Sequence, residues 1–219
     1  MSSAAGVQTV AAVPETQASS PAVDLQTIAH ELRQPLSAIE SIAYYLSLAL
    51  PRESRPARKQ ARRLQQLVEQ SNWILTCALQ LADNTPCAPQ LLNLEELIIQ
   101  TVNTCTAQGD PRIHLELAGG LRLVNLDPGR ARTLLENLFM LFRQLASELH
   151  PIRVTTAAGE GGVSLGIATA IPGYRSEASL GPGCNLSIQS ARRVVEGHGG
   201  TLSIHVDATS GVSLKVVLP

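Results

Sequence analysis

The chain has 219 residues, a formal net charge of −1 and four cysteines, and these numbers exclude several classes of protein. A nearly neutral chain has no general attraction for nucleic acid or acidic membranes. The cysteines lack the CxxC spacing of zinc and redox motifs, so we expect reduced thiols in a cytoplasmic protein and no metal site. No apolar run is long enough to predict a membrane span.

The N-terminal part of the chain predicts a disordered tail followed by a helical hairpin over residues 24–84. Residues 1–23 are rich in Ala, Ser, Gln and Pro and do not read as a secretory signal. Asp24 is a good N-cap for a first helix, and Pro51–Pro56 separates that helix from a second one ending near Asp83. The apolar residues of the first helix recur at helical spacing: Leu25, Ile28, Ala29, Leu32, Leu36, Ile39, Ala43, Leu46 and Leu50. One hairpin cannot cover this stripe, so we expect a homodimer through a four-helix bundle.

Residues 91–219, called the second domain below, follow a proline-containing linker at Thr85–Gln90 and predict mixed helix and strand. Helices are expected at Leu94–Val102, Arg130–Leu149 and Leu186–Glu196. Strands are expected at Ile113–Leu117, Leu121–Leu126, Ile152–Thr156, Val163–Ala168, Thr201–Val206 and Val212–Leu218. The predicted fold class is therefore α+β, with the hairpin followed by an α/β sandwich that has helices on one face of a mostly antiparallel sheet.

His30 is predicted to lie on the polar face of the first helix. At about 100° per residue it stands about 160° from the centre of the apolar stripe and shares its face with Gln34, Ser37 and Ser41. An exposed imidazole among short side chains has the room that an in-line phosphoryl transfer needs. Pro35 removes a backbone amide inside the helix and is expected to kink it just past the histidine.

The segment His30-Glu31-Leu32-Arg33-Gln34-Pro35-Leu36 resembles the H-box of histidine kinases from two-component signalling systems. The resemblance implies that His30 carries phosphate and that Glu31 acts as general base. Gln34 stands where phosphatase-competent members have a polar side chain that orients water. Simple alternatives are an exposed charge for Glu31, stabilised by the helix dipole, and an ordinary solvated glutamine for Gln34. The implied partner is a response-regulator receiver domain.

A basic cluster at the hairpin loop contains Arg52, Arg55, Arg58, Lys59, Arg62 and Arg63. Such a cluster is able to meet an acidic partner. Charged residues at the solvated start of a helix are nevertheless the simpler explanation of the pattern. The cluster therefore adds no function to the hairpin at the level of sequence.

The second domain resembles the catalytic ATP-binding domain of the same family from about Leu92 onward. The clearest marks are Asp127-Pro-Gly-Arg before Leu134-Leu-Glu-Asn-Leu, and the segment Glu196-Gly-His-Gly-Gly-Thr-Leu. In the asparagine box Asn137 is kept, but Leu141 stands where the family has its metal-binding asparagine. Leucine cannot coordinate a metal, so this box departs from the family at the position that binds Mg²⁺.

Two glycine boxes of the resemblance are also damaged. The segment Thr169–Gly173 keeps only Gly173 of a DxGxG pattern and lacks the aspartate that accepts a hydrogen bond from adenine. Gly181 and Gly183 remain of the last box, in which Asn185 replaces the third glycine. Each lost hydrogen bond to a charged or metal-linked group costs about 1.5–3 kcal/mol. ATP binding is therefore expected to be lost, and no cofactor is expected.

Three functions follow from these patterns. The preferred one is a phosphorelay protein that carries phosphate on His30 and exchanges it with response-regulator aspartates. The second is an active histidine kinase that uses ATP and Mg²⁺ to phosphorylate His30 itself. The third is a non-enzymatic module that docks a receiver or regulates a kinase. The intact H-box disfavours the third function, and the damaged nucleotide boxes disfavour the second.

Overall fold

The structure is a computed structural model that describes residues 25–105, 112–146, 150–159, 161–171, 173 and 176–219. The described residues form a two-helix hairpin followed by a mixed α/β domain, which confirms the predicted fold class. The predicted disordered tail, residues 1–23, lies outside the described residues.

The hairpin consists of α1 (Leu25–Ala49) and α2 (Arg55–Ala82), which pack along each other. Ala29 and Ala43 of α1 are buried, as are Ala61 and Val68 of α2. Small side chains at these positions let the two helix backbones approach closely. The helix α1 continues through Pro35, which lies within it.

A large part of the predicted apolar stripe stays uncovered in the single chain. Eight leucine and isoleucine side chains of the hairpin are between 36% and 60% exposed. They are Leu25, Ile28, Leu32, Ile39, Ile42 and Leu46 of α1 and Leu64 and Leu67 of α2, called the open apolar face below. Exposed apolar side chains in such number on one hairpin are typical of an interaction surface.

The second domain packs three helices against one face of a five-stranded sheet. Its elements are β1 (Gln90–Leu92), α3 (Leu94–Cys105), β2 (Ile113–Glu116), β3 (Val124–Leu126), α4 (Pro128–Leu145), β4 (Ile152–Gly159), β5 (Gly162–Thr169), α5 (Pro182–Gly197), β6 (Thr201–Asp207) and β7 (Gly211–Leu218), with a 3₁₀ turn at Glu177–Leu180. The strand order is β2-β4-β5-β7-β6. Among the described strands only β2 and β4 pair in parallel, so the sheet is mostly antiparallel as predicted.

Some element boundaries differ from the sequence prediction. The strand β1 was not predicted and pairs with β3 in a separate two-stranded sheet, and β3 is shorter than the expected Leu121–Leu126. The helices α4 and α5 begin earlier than expected, at Pro128 and Pro182. Proline suits the first turn of a helix because the N–H that it lacks has no partner there. The helix α4 ends at Leu145, short of the predicted Leu149.

The hairpin and the second domain share one hydrophobic core. Trp73 and Cys77 of α2 are 5% and 0% exposed and belong to the same buried cluster as Leu138 and Phe139 of α4 and Ile188 of α5. Trp73 and Cys77 lie one turn apart, so they present one side of α2 to α4 and α5. This contact places the hairpin against the region where the nucleotide boxes lie.

Candidate functional site

His30 lies on an exposed part of α1, beside the end of α2. Its side chain borders a cleft of about 490 Å³ that is also lined by Gln26, Arg33, Leu79, Gln80 and Asp83. Arg33 donates a hydrogen bond across the hairpin to Thr76 Oγ1 at 3.2 Å. His30 itself is exposed, as the sequence predicts.

Gln34 is the predicted site residue that the structure brings to His30. Its Nε2 atom lies 3.4 Å from His30 Nε2, one helical turn away. Glu31 is exposed and adjacent to His30 in the chain. The three predicted residues of the H-box thus lie together on or beside one exposed region of α1.

Sequence reasoning missed Gln80 and Asp83 as neighbours of His30. Both belong to the end of α2 and its C-cap, about 50 residues further along the chain. The sequence could have indicated them only through the antiparallel arrangement of the predicted hairpin, which brings the end of the second helix back beside the start of the first.

The kept asparagine of the nucleotide region is not available to a ligand. Asn137 is 2% exposed, and its Nδ2 donates to Gln80 Oε1 of α2. The same oxygen accepts a hydrogen bond from Ser190 Oγ of α5. Leu141 is 0% exposed and is part of the hydrophobic core. The position of the family's metal ligand is therefore filled by a core side chain.

The three glycines of the nucleotide region have different surroundings. A Cβ at Gly183 would lie 3.5 Å from Ile74 Cδ1 and 3.6 Å from Trp73 Cζ3, so α2 packs directly on this glycine. Gly181 and Gly173 have positive φ angles of 90° and 109° and no neighbouring atom within 4 Å of such a Cβ. Gly183 of α5 and Asn137 of α4 both lie against α2, whereas the space around Gly173 is open.

Arginine side chains of the second domain hold the end of α2. Arg193 donates to the carbonyl oxygens of Leu81 at 2.6 Å and Asp83 at 3.2 Å, and to Asn84 Oδ1 at 2.8 Å. Arg130 pairs with the Asp83 carboxylate at 3.3 Å. The last carbonyls of a helix have no partner within it, so these bonds both satisfy α2 and tie it to the second domain.

The linker after α2 is held by His198 and Asp127. His198 Nδ1–H donates to the Val194 carbonyl at 2.7 Å, which leaves Nε2 to accept the backbone N–H of Asp127 at 2.9 Å. Cys87 Sγ lies 3.1 Å from the same nitrogen. Hydrogen bonds from the backbone N–H groups of Arg130 and then Ala88 hold the pKa of Asp127 below its usual value. The carboxylate therefore stays charged and caps α4.

The buried thiols are unsuited to nucleophilic chemistry. Burial raises the pKa of the Cys77 thiol to about 11, and burial also raises the pKa of Cys184. Both remain protonated near neutral pH, and a thiol is a far weaker nucleophile than a thiolate. Within the described ranges there is no group of His, Cys, Asp and Glu side chains that could hold a metal ion, and no helix long and apolar enough to cross a membrane.

Comparison with known proteins finds histidine kinases among both sequences and structures. No family model matches the chain. The sensor histidine kinase ZraS of Escherichia coli K12 is 25% identical over 209 residues, which cover 88% of this chain and 44% of ZraS. This chain therefore spans a little under half the length of ZraS.

Two solved structures share the fold with a TM-score of 0.59, and each match covers 89% of this chain. One is full-length ShkA in complex with AMPPNP, at 21% identity over 45% of that chain. The other is the histidine kinase ThkA in complex with the response regulator protein TrrA, at 17% identity over 60% of that chain.

The fold joins a helical hairpin, with an exposed histidine on its first helix, to a kinase-type α/β domain. The sequence relatives are sensor histidine kinases, and the structural neighbours have the same two-part architecture. The chain is thus similar to histidine kinases of two-component signal transduction, in sequence to the sensor kinases and in fold to the solved structures.

Proposed function

We propose that the chain is a phosphorelay protein that carries phosphate on His30 and exchanges it with response-regulator aspartates. The observation that carries this proposal is the contrast between an exposed His30 in an intact H-box and a fully buried Leu141 at the position of the metal ligand. The first residue is placed to receive a phosphoryl group from another protein. The second offers no ligand for the Mg²⁺ of ATP.

The transfer step uses groups that the chain presents on α1. An imidazole nitrogen of His30 attacks the phosphorus of a receiver's aspartyl phosphate, so a P–N bond forms as the acyl P–O bond breaks. The receiver carboxylate leaves with the bonding electrons. Glu31, exposed beside His30, accepts the proton that the ring loses. Gln34, 3.4 Å from the ring, is placed to orient a water molecule in the competing hydrolysis.

A receiver domain is the partner that fits the His30 surface. This surface is exposed and contains the short side chains of Ser37 and Ser41 next to Gln34. Short side chains leave space for another protein to bring its aspartyl phosphate to the ring. The solved complex of ThkA with the response regulator protein TrrA supports the same kind of partner here. A receiver partner places this exchange in the cytoplasm.

We assign the open apolar face to a second copy of the chain. Pairing two hairpins buries the exposed leucines and isoleucines and completes a four-helix bundle. Replacing Leu32 and Ile39 together with Asp should yield a monomer in analytical ultracentrifugation. Leu48→Asp is the matched control, because Leu48 is 67% exposed but lies on the His30 side of α1. A wild-type chain that is monomeric at tens of micromolar would contradict the dimer.

The packing of α2 supports the proposed loss of ATP binding. A nucleotide would require α2 to leave Gly183 and Asn137, and Leu141 would still provide no metal ligand. Calorimetry of the purified chain with ATP and Mg²⁺ should show no binding in the micromolar range. A clear micromolar isotherm would instead favour an active kinase, the alternative that the ShkA complex with AMPPNP supports.

Label transfer tests the proposal directly. Purified chain is mixed with receiver domains of the same organism that carry labelled aspartyl phosphate, and the label should move to the chain as acid-labile phosphohistidine. Glu31→Ala should slow the transfer without stopping it, since this residue moves only a proton. Gln34→Ala should leave the transfer intact and slow the loss of receiver phosphate to water. Receiver binding without any transfer would identify a docking module instead.

A further inference from the structure

The loop end of the hairpin contains a cleft with an unusual lining. It measures about 580 Å³, and its walls are five cationic side chains: Arg52, Arg55, Arg58, Lys59 and Arg62, called the basic cleft below. No acidic side chain contributes to the lining. Within the described residues none of the five forms an ion pair, and their one side-chain hydrogen bond to the protein joins Arg58 Nη1 to the Leu50 carbonyl at 3.2 Å.

This arrangement is electrostatically unfavourable when no anion is present. Arg55, Arg58, Lys59 and Arg62 follow i, i+3, i+4 and i+7 spacing and share one side of α2. Like charges at this spacing destabilise a helix, and the first turn of α2 has no acidic residue to offset them. An anion placed among the side chains removes the repulsion and gains several charge-assisted hydrogen bonds.

We propose that the basic cleft binds a compact, multiply charged phosphate anion, such as a short inorganic polyphosphate. Four of the five side chains are arginines, whose planar guanidinium groups match pairs of phosphate oxygens. Arg55 and Arg62 are seven residues apart, about 10 Å along the helix axis. This length suits a few linked phosphates.

The charge of the rest of the chain favours a compact anion over an extended one. The chain has 17 Lys and Arg residues and 18 Asp and Glu residues. Six of the cations are the basic cleft and its neighbour Arg63, so the remaining 11 stand against 18 acids and the rest of the chain has a formal charge of −7. Nucleic acid or an anionic bilayer would be repelled by that remainder, while a small anion interacts mainly with the cleft.

Calorimetry of the purified full chain with inorganic triphosphate is the test. We expect one anion to bind per chain, with an affinity that falls as salt is raised. Arg55→Gln combined with Arg62→Gln should weaken the affinity at least about tenfold, because two guanidinium groups are lost from the site. Arg122→Gln combined with Arg132→Gln is the matched control, since it removes two exposed arginines of the second domain and should leave the affinity unchanged.

Three outcomes would overturn the inference. The first is that triphosphate does not bind at moderate salt. The second is that both double variants lose the same affinity for triphosphate. The third is that a single-stranded oligonucleotide or anionic vesicles bind more tightly than triphosphate. Circular dichroism of both variants verifies that they remain folded. His30 lies 19 residues before the end of α1, about 28 Å along the helix. The result is therefore independent of the His30 transfer assay.

Discussion

His30 and Leu141 stand at the two positions that the resemblance aligns with the phosphate-carrying and metal-binding residues of histidine kinases, and their environments are opposite. His30 is exposed on α1 beside an open cleft, whereas Leu141 is 0% exposed in the core of the second domain. An exposed imidazole contributes little to the stability of a fold, while a buried leucine contributes several kcal/mol. The stability of the fold therefore depends little on the imidazole of His30 and strongly on the apolar side chain of Leu141.

The same contrast applies to the two sides of α2. One side carries Leu64 and Leu67, which are 42% and 49% exposed. The other side carries Trp73 and Cys77, which are buried in the core shared with α4 and α5. A hairpin packed in this way is joined to its second domain by buried apolar surface, as well as by the bonds of Arg193 and Arg130.

The largest expected effect is on function. His30→Gln should abolish label transfer from a phosphorylated receiver, because the change removes the imidazole that the proposal gives as the phosphate acceptor. The free energy of unfolding should change by less than about 0.5 kcal/mol, since the side chain is exposed. His205→Gln, at an exposed position of β6, is the control and should transfer normally. Wild-type labelling of the His30→Gln protein would place the phosphate elsewhere.

Removing the indole of Trp73 tests the buried side of α2. Trp73→Ala should lower the free energy of unfolding by about 3–5 kcal/mol, because a large side chain is lost from a closed core. Tyr45→Ala, at a side chain that is 68% exposed, should cost less than about 0.5 kcal/mol. Urea unfolding followed by circular dichroism measures both. A cost below about 1 kcal/mol for Trp73→Ala is incompatible with the shared core.

Restoring the family's asparagine at position 141 tests the other half of the comparison. Leu141→Asn should lower the free energy of unfolding by about 3 kcal/mol, because the change leaves a cavity and buries an amide. It should not restore ATP binding, since α2 still packs on Gly183. Leu48→Asn, at an exposed position of α1, is the stability control. Micromolar ATP binding by Leu141→Asn would show that one side chain had blocked the site.

The smallest effect concerns the acid stability of the linker contact. The pKa of Asp127 is lower in the folded chain than in the unfolded one, first through the N–H of Arg130 and then through that of Ala88. The stabilisation that charged Asp127 gives to the folded chain is therefore fully present above its unfolded pKa of about 3.9. It is lost as the pH falls through the lower pKa that Asp127 has in the folded chain. Asp127→Asn should cost little at pH 7, because Asn also caps helices, and should make stability less sensitive to acid. Urea titrations from neutral pH to about pH 3 measure this, and equal acid sensitivity would refute it.

Local periodicity was sufficient to predict much of the fold. The spacing of apolar residues predicted α1 and α2, and alternation with turn residues predicted β4, β5, β6 and β7. The helical wheel placed His30 on an exposed side of α1, where Gln34 meets it one turn later. These features depend on residues close together in the chain, so a sequence pattern can report them. The roles of His30, Glu31 and Gln34 in phosphate transfer stay predictions.

Tertiary structure alone decided how the two parts of the chain meet. Gln80 and Asn137 are 57 residues apart, and Trp73 and Gly183 are further apart still, so no local pattern could have paired them. The strand β1 was missed for the same reason, because three residues become a strand only when β3 lies beside them. The sequence by itself determined which segments form most of the helices and strands and that His30 lies on an exposed side of α1. Long-range packing of apolar surface decided that α2 covers the nucleotide region, because such packing is nondirectional and depends on the whole fold.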